Sequence, residues 1–294
     1  MTDNSRTPER ERPRQRLDDL RLPRSDANQE QEPAGPRARP APGTRPEFVI
    51  TEPARERSYN PAAEYLPPKP QKPRLAVFGG SFNPVHNGHL FLAGHLLRAG
   101  LADEILFIPA GLPPHKSTLD LAPADLRYGM LRLALAPFPE FSVSDIEIQQ
   151  KERPSYTIET LDTLRVAFPE RLLLFLMGTD SLAELHTWHR ATELVNQFNF
   201  IIYPRPEADA PMTVTLAGRF GSRNAQKLRA AIIEAPLLPV TASAIRACYG
   251  EGTSVAGMLP EAVHAFIVQN RLYNAKPDGN AHGREHETAS AGTA

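Results

Sequence analysis

Two histidines and several glycines occupy one short segment of the sequence, VFGGSFNPVHNGHL, at residues 77–90. Gly79 and Gly80 allow a ligand to approach the backbone closely, because a glycine carries no side chain. His86 and His89 lie at the start of a predicted helix, where unpaired amides and the positive end of the helix dipole favour an anion. Imidazole N–H groups can donate hydrogen bonds to phosphate oxygens at the same place. The segment therefore predicts a phosphate-binding site.

Residue types alone leave two other interpretations of this segment open. A glycine pair after a strand is most often a tight turn, and its spacing fits neither the GxGxxG nor the GxxxxGK phosphate-binding pattern. His86, His89 and His95 could together bind zinc, but a zinc site usually needs a further ligand, and neither a carboxylate nor a thiolate is close in sequence. We therefore predict no dedicated metal site.

A second candidate phosphate site is the segment VTASAIRACYGEG at residues 240–252. Thr241 and Ser243 can cap a helix whose N-terminal amides hold phosphate. Arg246 follows in the same helix and supplies a cation with forked donors. Taken alone, this segment favours the simpler interpretation of a capped surface helix.

Strand-like and helix-like segments alternate between the two candidate sites. The strand patterns are RLAVFGG, EILFIPAG, FSVSDIEI, RLLLFLMG and FNFIIYP, and the helix patterns are HLFLAGHLLRAG, ADLRYGMLRLALA, TIETLDTLRVAF and ATELVNQ. The alternation predicts an α/β fold with an open, mostly parallel, Rossmann-like sheet and helices on both faces. Ligands of such folds bind beyond the carboxyl ends of the strands, at the point where the strand order reverses.

The composition divides the 294 residues into three parts. Residues 1–73 are rich in Pro, Arg and Glu and poor in aliphatic residues, which predicts a disordered extension, because too little apolar surface is available to offset the entropy of ordering. The alternative is a docking tail whose arginines contact an acidic partner. Residues 74–274 form the predicted folded domain, and residues 275–294 form a predicted disordered tail.

Charge and cysteine content limit the function classes. The only cysteine, Cys248, excludes an internal disulfide framework and suits a reducing cytoplasm. No apolar run approaches the roughly 18 residues of a membrane span, so no membrane partner is predicted. The net charge of −1 gives no global reason to expect a nucleic-acid partner. The sequence leaves the oligomeric state open.

Both candidate sites resemble signatures of the nucleotidyltransferase superfamily. GGSFNPVHNGH is similar to the GG(S/T)FxPxHxGH signature, and TASAIR is similar to the ISSTxIR motif. The segments PAGLPPHKS, RPSYTIETL, MGTDSL and LHTWHR resemble, in order and spacing, those of the bacterial nicotinate-nucleotide adenylyltransferase family. The resemblance covers residues 74–273.

This resemblance implies that ATP and nicotinate mononucleotide react to give nicotinate adenine dinucleotide and pyrophosphate, a step in NAD biosynthesis. A phosphate oxygen of the acceptor attacks the α-phosphorus in line, so catalysis depends on positioning and charge stabilisation rather than on a protein nucleophile. Mg²⁺ is implied as a cofactor that binds through the ATP phosphates.

The family also implies a role for each matching residue. The implied catalytic residues, which contact the transferred phosphoryl group and the pyrophosphate, are His86, His89 and Arg246. The implied ATP-binding residues are Gly79, Gly80, Ser81, Phe82, Lys116, Gly178, Asp180, Thr241 and Ser243. The implied substrate-binding residues, which recognise the pyridine ring and the nicotinate carboxylate, are Tyr156, Thr157 and Trp188.

Simpler interpretations exist for several of these residues. Lys116 can be a solvated loop lysine, Asp180 and Thr157 can be helix caps, and Trp188 can be a core residue. The sequence also departs from the family pattern at two positions. Asn83 stands where many members carry aspartate, which leaves any role of an acid there in doubt, and Ala242 lacks the hydroxyl of the common Ser-Ser-Thr run.

Three rival functions remain compatible with the sequence. Nicotinamide mononucleotide or phosphopantetheine could replace nicotinate mononucleotide as the acceptor, although the SYT and TWH segments argue against phosphopantetheine in particular. The domain could also bind nucleotide without turnover, as a sensor with the arginine-rich extension as its partner-binding arm. The intact pair of histidines argues against that third possibility.

Overall fold

The computed structural model describes residues 72–112, 121–150, 154–205, 208–236 and 238–275. Within them, five parallel strands form one sheet in the order β3-β2-β1-β4-β5. The strands are β1 (Arg74–Gly80), β2 (Glu104–Pro109), β3 (Phe141–Val143), β4 (Leu172–Gly178) and β5 (Asn199–Tyr203). The chain builds outward from β1 to β3 on one side and then adds β4 and β5 on the other. The strand order therefore reverses beside β1, as the predicted fold requires.

In the described ranges, helices connect the strands, and further helices come after the last strand in the sequence. Those that precede β5 are α1 (Asn87–Arg98), α2 (Ala124–Leu135), α3 (Thr157–Ala167), α4 (Thr179–Glu184) and α5 (Ala191–Gln197). Those that follow β5 are α6 (Thr213–Phe220), α7 (Ser222–Ala230), α8 (Ala242–Glu251) and α9 (Glu261–Gln269). Two short 3₁₀ turns span Leu185–Thr187 and Leu272–Asn274. None of the helices in the described ranges is long and apolar enough to cross a membrane.

Both faces of the sheet are buried, as the side chains of β1 show. Successive side chains of a strand point to opposite faces. Ala76 and Phe78 of β1 belong to a hydrophobic cluster on one face. Leu75 and Val77, at 0% and 1% exposure, are buried on the other. The first cluster also takes in residues of α1, α2 and α9, namely Leu96, Met130 and Ile267. The predicted α/β sheet with helices on both faces is confirmed.

The strand predicted over FSVSDIEI is wrong after its first three residues. Only Phe141–Val143 pairs with β2, and the backbone N–H of Ile148 donates to the carbonyl of Asp145 in a turn. Ile146 and Ile148 are nevertheless buried, at 6% and 8% exposure. The alternation therefore marked burial correctly, but burial in this segment is achieved by a turn rather than by a longer strand.

The predicted extension and tail lie almost entirely outside the described residues. Lys72 and Pro73, which the sequence assigned to the extension, contact the folded domain. The Lys72 Nζ atom donates to the Pro169 carbonyl at 2.7 Å, and the Pro73 carbonyl accepts from the Leu172 N–H at 2.9 Å. At the other end Ala275 is buried, at 7% exposure.

A buried arginine on α2 connects the loops that follow the first two strands. Arg127 is 1% exposed, and in the described ranges its guanidinium donates to backbone carbonyls. It reaches Ser81 after β1 at 2.8 Å, Ala110 after β2 at 2.6 Å and Ala122 before α2 at 2.8 Å, with a longer contact of 3.4 Å to Gly111. These loops lie at the carboxyl edge of the sheet, so Arg127 fixes the backbone from which any site there is built.

We expect Arg127→Met to lower the free energy of unfolding by about 3 kcal/mol or more, because it leaves several buried carbonyls without a donor. Urea unfolding followed by circular dichroism measures this difference. Arg132→Met is the matched control, because Arg132 is an exposed residue of the same helix, and should change stability by less than about 0.5 kcal/mol. Equal effects of the two substitutions would contradict the assigned role of Arg127.

Candidate active site

A cleft of about 700 Å³ opens where the strand order reverses, at the carboxyl ends of β1, β4 and β5. Its walls come from the loop between β1 and α1, the end of β4, the end of β5 and the start of α8. Most of the residues that the sequence predicted for the site line this cleft: Gly79, Gly80, Ser81, Phe82, His86, His89, Gly178, Asp180, Trp188, Thr241, Ser243 and Arg246. The structure thus brings both candidate phosphate sites together.

The remaining predicted residues lie elsewhere. Tyr156 and Thr157 are not among the residues that line the cleft. Tyr156 occupies the N-cap position of α3, and its ring centroid lies 4.3 Å from that of His189, the residue after Trp188. Thr157 is the first residue of α3, so the alternative that it caps this helix is wrong. Lys116 lies outside the described residues.

The two histidines of the first segment contact each other. The backbone N–H of His86, at the N-cap position of α1, donates to the Nδ1 atom of His89 at 3.2 Å. Because Nδ1 accepts, a neutral His89 carries its proton on Nε2, which is therefore its donor. The two ring centroids lie 3.7 Å apart. At this separation two imidazolium charges would repel each other strongly.

Burial keeps one of these rings neutral. His86 is 5% exposed, and burial, followed by the positive charge of Arg205, lowers the pKa of His86 to about 4. At neutral pH this ring therefore carries no charge and donates through one N–H.

The glycine between the histidines makes their arrangement possible. A Cβ atom at Gly88 would lie 3.0 Å from both Nδ1 and Cε1 of His86 and 3.4 Å from the Val240 carbonyl. The two contacts with the His86 ring are tighter than side chains normally make, whereas 3.4 Å is an ordinary contact distance. Gly88 therefore lets the His86 ring pack closely against the start of α1.

The second segment folds as predicted and is tied to the first. Thr241 is the N-cap of α8, and its Oγ1 atom accepts from the Ala244 N–H at 3.1 Å, so the predicted cap is confirmed for Thr241. Ser243 lies within the helix and does not cap it. The first amides of a helix have no partner within the helix, so the amide of Ala242 is available although its side chain has no hydroxyl. Arg246 donates from a terminal guanidinium nitrogen to the carbonyl of Asn83 at 2.9 Å, across 163 positions of sequence.

Asn83 has a structural role that accounts for its amide. Its side-chain oxygen accepts from the Ala122 N–H at 3.1 Å and from the Tyr273 hydroxyl at 2.6 Å. Burial raises the pKa of Tyr273, so this hydroxyl stays protonated and donates. Asn83 is 7% exposed. Asn83 thus joins the loop after β1 to the C-terminal turn through contacts that need an acceptor oxygen and no negative charge.

The sequence analysis missed one charged residue of the cleft. Arg205 lines it two residues after the end of β5. The available signal was its position just after a strand pattern, because ligands of such folds bind beyond the carboxyl ends of the strands. Asp180 itself lies within α4, whose N-cap is Gly178, so the interpretation of Asp180 as the N-cap is wrong.

The cleft offers few ligands to a metal ion. Asp180 is its only acidic lining residue among those described. No group of three or more His, Cys, Asp or Glu side chains in the described ranges is placed to hold a metal ion. His95 faces the carbonyl of Glu234, and its pKa is lowered mainly by burial.

The depressed pKa of His86 makes stability depend on pH. Between about pH 6.5 and pH 4 the unfolded chain binds a proton on this side chain that the folded protein does not bind, so the free energy of unfolding falls as the pH drops through this window. We expect this effect to reach on the order of 3 kcal/mol. His86→Gln should remove that part of the pH dependence in urea unfolding near pH 7 and near pH 4.

His186→Gln is the matched control, because His186 is exposed and lies outside the cleft lining. This variant should keep the wild-type pH dependence. If His86→Gln keeps it as well, the neutral state of His86 is contradicted.

Comparisons with known proteins place this geometry in a family. The chain matches the Cytidylyltransferase-like family over residues 77–248. A protein of Synechococcus sp. strain JA-3-3Ab, named "Probable nicotinate-nucleotide adenylyltransferase", is 38% identical over 209 residues, which are 70% of this chain and 98% of that protein. A protein of the same name from Carboxydothermus hydrogenoformans is 36% identical over 200 residues, 68% of this chain and 98% of the relative.

Solved structures share the fold. The Plasmodium falciparum nicotinic acid mononucleotide adenylyltransferase complexed with NaAD superposes with a TM-score of 0.57 at 17% identity, over 69% of this chain and 98% of that chain. Its complex with APC gives 0.55 at 16% identity over the same shares. The resemblance that the motifs suggested is confirmed: the chain belongs to the cytidylyltransferase-like family and, within it, to the nicotinate-nucleotide adenylyltransferases.

Proposed function

We propose that this protein transfers the adenylyl group of ATP to nicotinate mononucleotide and releases nicotinate adenine dinucleotide and pyrophosphate. The observation that carries the proposal is the hydrogen bond from Arg246 to the Asn83 carbonyl, because it brings two separate phosphate-binding segments to one cleft. The relatives that are 38% and 36% identical carry the name of this activity. The reaction belongs to NAD biosynthesis.

The cleft is suited to transfer by direct in-line attack. The N-terminus of α8 provides unpaired amides, His89 provides an Nε2 donor and Arg246 provides a guanidinium, whereas the amides of His86, Asn87 and His89 at the start of α1 already have partners. These groups stabilise negative charge on the transferred phosphoryl group and on the departing pyrophosphate. Such a reaction needs no protein nucleophile, and Cys248 is not among the residues that line the cleft.

The neutral state of His86 fits a site that receives a polyanion. A positive charge on the buried His86 ring would be repelled by Arg205. When a triphosphate binds, its negative charge favours the protonated ring, so we propose that His86 contacts phosphate and that its pKa rises in the complex.

Mg²⁺ enters this proposal with ATP. The ion commonly binds through substrate phosphates and water rather than in a protein cage. A cleft with one lining carboxylate, Asp180, fits that mode. Mg²⁺ bound to ATP neutralises phosphate charge, while the side chains of the cleft orient the nucleotide.

The acceptor is proposed to bind beside Trp188. The indole ring of Trp188 lines the cleft and meets the Phe175 ring edge-on, with centroids 6.0 Å apart. The next residue, His189, contacts the Tyr156 ring. This contact places the Tyr156–Thr157 segment next to the Trp188 segment, so the aromatic ring and the donors proposed for the nicotinate carboxylate come from neighbouring parts of the surface.

We propose a cytoplasmic location and no nucleic-acid partner, and both proposals rest on composition. A single cysteine suits the cytoplasm, and the net charge of −1 gives no reason to expect nucleic acid as a partner.

Pyrophosphate release measured with alternative acceptors tests the proposed function. We expect nicotinate mononucleotide to be preferred over nicotinamide mononucleotide, because a carboxamide needs an acceptor where a carboxylate needs donors only. Phosphopantetheine should give no turnover. Preference for phosphopantetheine would refute the choice of acceptor, and saturable ATP binding without product would support the nucleotide-sensing alternative.

The same assay on a shortened chain tests the role of the extension. A protein that begins at Lys72 keeps the contacts of Lys72 and Pro73 with the folded domain. We expect its activity to match that of the full chain. Loss of activity would show that the extension takes part in the reaction.

We expect His89→Ala to lower kcat by about 100- to 1000-fold while changing KM for ATP only a few-fold, because its Nε2 donor acts on charge that develops during transfer. Steady-state kinetics measure both constants. His186→Gln, outside the cleft, should leave both unchanged. A loss confined to KM would mean that His89 only binds ATP.

A further inference from the structure

We propose that Arg205 is a further phosphate-contacting residue of the cleft. Its guanidinium pairs with Asp180 before the nucleotide binds and contacts the polyphosphate of the nucleotide afterwards. This inference rests on the proposed function and assigns a role to a residue that lies outside both signature segments. Four observations carry it: the anchored backbone of Arg205, its weakly held guanidinium, the space above Gly178, and the charge distribution of the cleft.

The backbone of Arg205 is fixed to the sheet. Its N–H donates to the Oγ1 atom of Thr179 at 2.9 Å, and that hydroxyl donates to the Ala208 carbonyl at 2.6 Å. The Ala208 N–H donates to the Arg205 carbonyl at 3.2 Å. Thr179 is buried, at 3% exposure. The side chain of Arg205 therefore starts from a defined point at the edge of the cleft.

The guanidinium of Arg205 is held only loosely. Its Nε atom lies 3.6 Å from Oδ2 of Asp180, too far for a good hydrogen bond, and the two side chains are 40% and 48% exposed. This Nε atom is buried and has no hydrogen-bond partner among the described residues. The guanidinium carbon lies 5.5 Å from the ring centroid of Tyr203. An ion pair this exposed contributes little, so a stronger partner can replace it.

Gly178 makes room for this pair. A Cβ atom there would lie 2.3 Å from Oδ1 of Asp180, 3.0 Å from Cγ of Arg205 and 3.3 Å from its Nε atom. The two side chains thus cross the end of β4 through space that only glycine leaves empty. A side chain at the glycine that the sequence assigned to ATP binding would displace the Asp180 carboxylate and crowd Arg205.

The charges of the cleft favour an exchange of partners. Arg205 and Arg246 are the two arginines among its described lining residues, and Asp180 is the only acid. The charge of Arg205 also reaches His86, whose pKa it lowers as the second cause after burial. A polyphosphate carries more negative charge than one carboxylate and accepts both arms of a guanidinium. Its arrival releases Asp180 for the nucleotide hydroxyls.

The test measures binding of inorganic pyrophosphate and of adenosine by isothermal titration calorimetry. We expect Arg205→Gln to weaken pyrophosphate binding by about 10- to 100-fold and to leave adenosine binding within about twofold, because it removes a charged hydrogen bond to phosphate alone. Arg205→Lys keeps the charge but not the fork, and should restore only part of the affinity. Arg223→Gln, an exposed arginine of α7 outside the cleft, is the control and should bind like the wild type.

Asp180→Asn tests the exchange itself. We expect it to tighten pyrophosphate binding several-fold, and the gain to shrink in the Arg205→Gln background, because part of it comes from releasing Arg205. Equal gains in both backgrounds would overturn the exchange. Unchanged pyrophosphate binding in Arg205→Gln would overturn direct contact, and full rescue by Arg205→Lys would overturn the contact through both arms of the guanidinium.

These measurements are separate from the test of the proposed function, since pyrophosphate binding involves no acceptor. If the wild type converts nicotinate mononucleotide but Arg205→Gln binds pyrophosphate normally, only the role of Arg205 fails. If no acceptor is converted but both binding differences appear, the proposed function fails and the phosphate contact stands.

Discussion

The hydrogen bond from Arg246 to the carbonyl of Asn83 is the contact on which the cleft depends. It joins the loop after the first strand to a helix 163 positions later, so it holds the two sides of the cleft together. The acceptor is a neutral carbonyl rather than a carboxylate. A carboxylate would cancel the charge of the guanidinium, whereas a carbonyl fixes its position and leaves its positive charge directed at a bound anion.

Other parts of the site are also ordered without added acidic groups or adjacent positive charges. Arg127 is also held by carbonyls, which orders the loops around the cleft without adding acidic groups. The imidazole rings of His86 and His89 lie 3.7 Å apart, and burial keeps the first of them neutral. The cleft thus avoids repulsion between adjacent cations, and in the proposed reaction the nucleotide supplies the negative charge. This is preorganisation, because few groups must move when charge develops on the phosphate.

Residues in local patterns were predictable from sequence, and isolated residues were not. His86 and His89 were identified because they follow a strand within a glycine-rich turn, and Thr241 because it precedes a helix. Arg127 carries no such pattern in a chain with 33 lysines and arginines, and its partners are carbonyls, which every residue has. Arg205 follows a strand but belongs to neither signature segment. The end of β3 was misplaced because alternating hydrophobicity reports burial, which a turn provides equally well.

The departures from the family signature follow from the same constraint. At Asn83 an acid could accept the bonds from Ala122 and Tyr273, but it would place a negative charge on the residue whose carbonyl holds Arg246. The amide keeps both contacts and leaves the positive potential of the cleft intact. At Ala242 the missing hydroxyl removes one donor, yet the first amides of α8 remain and Thr241 still caps the helix. At Ala242 backbone amides therefore compensate for the missing hydroxyl, whereas at Asn83 the side-chain amide itself supplies the acceptor.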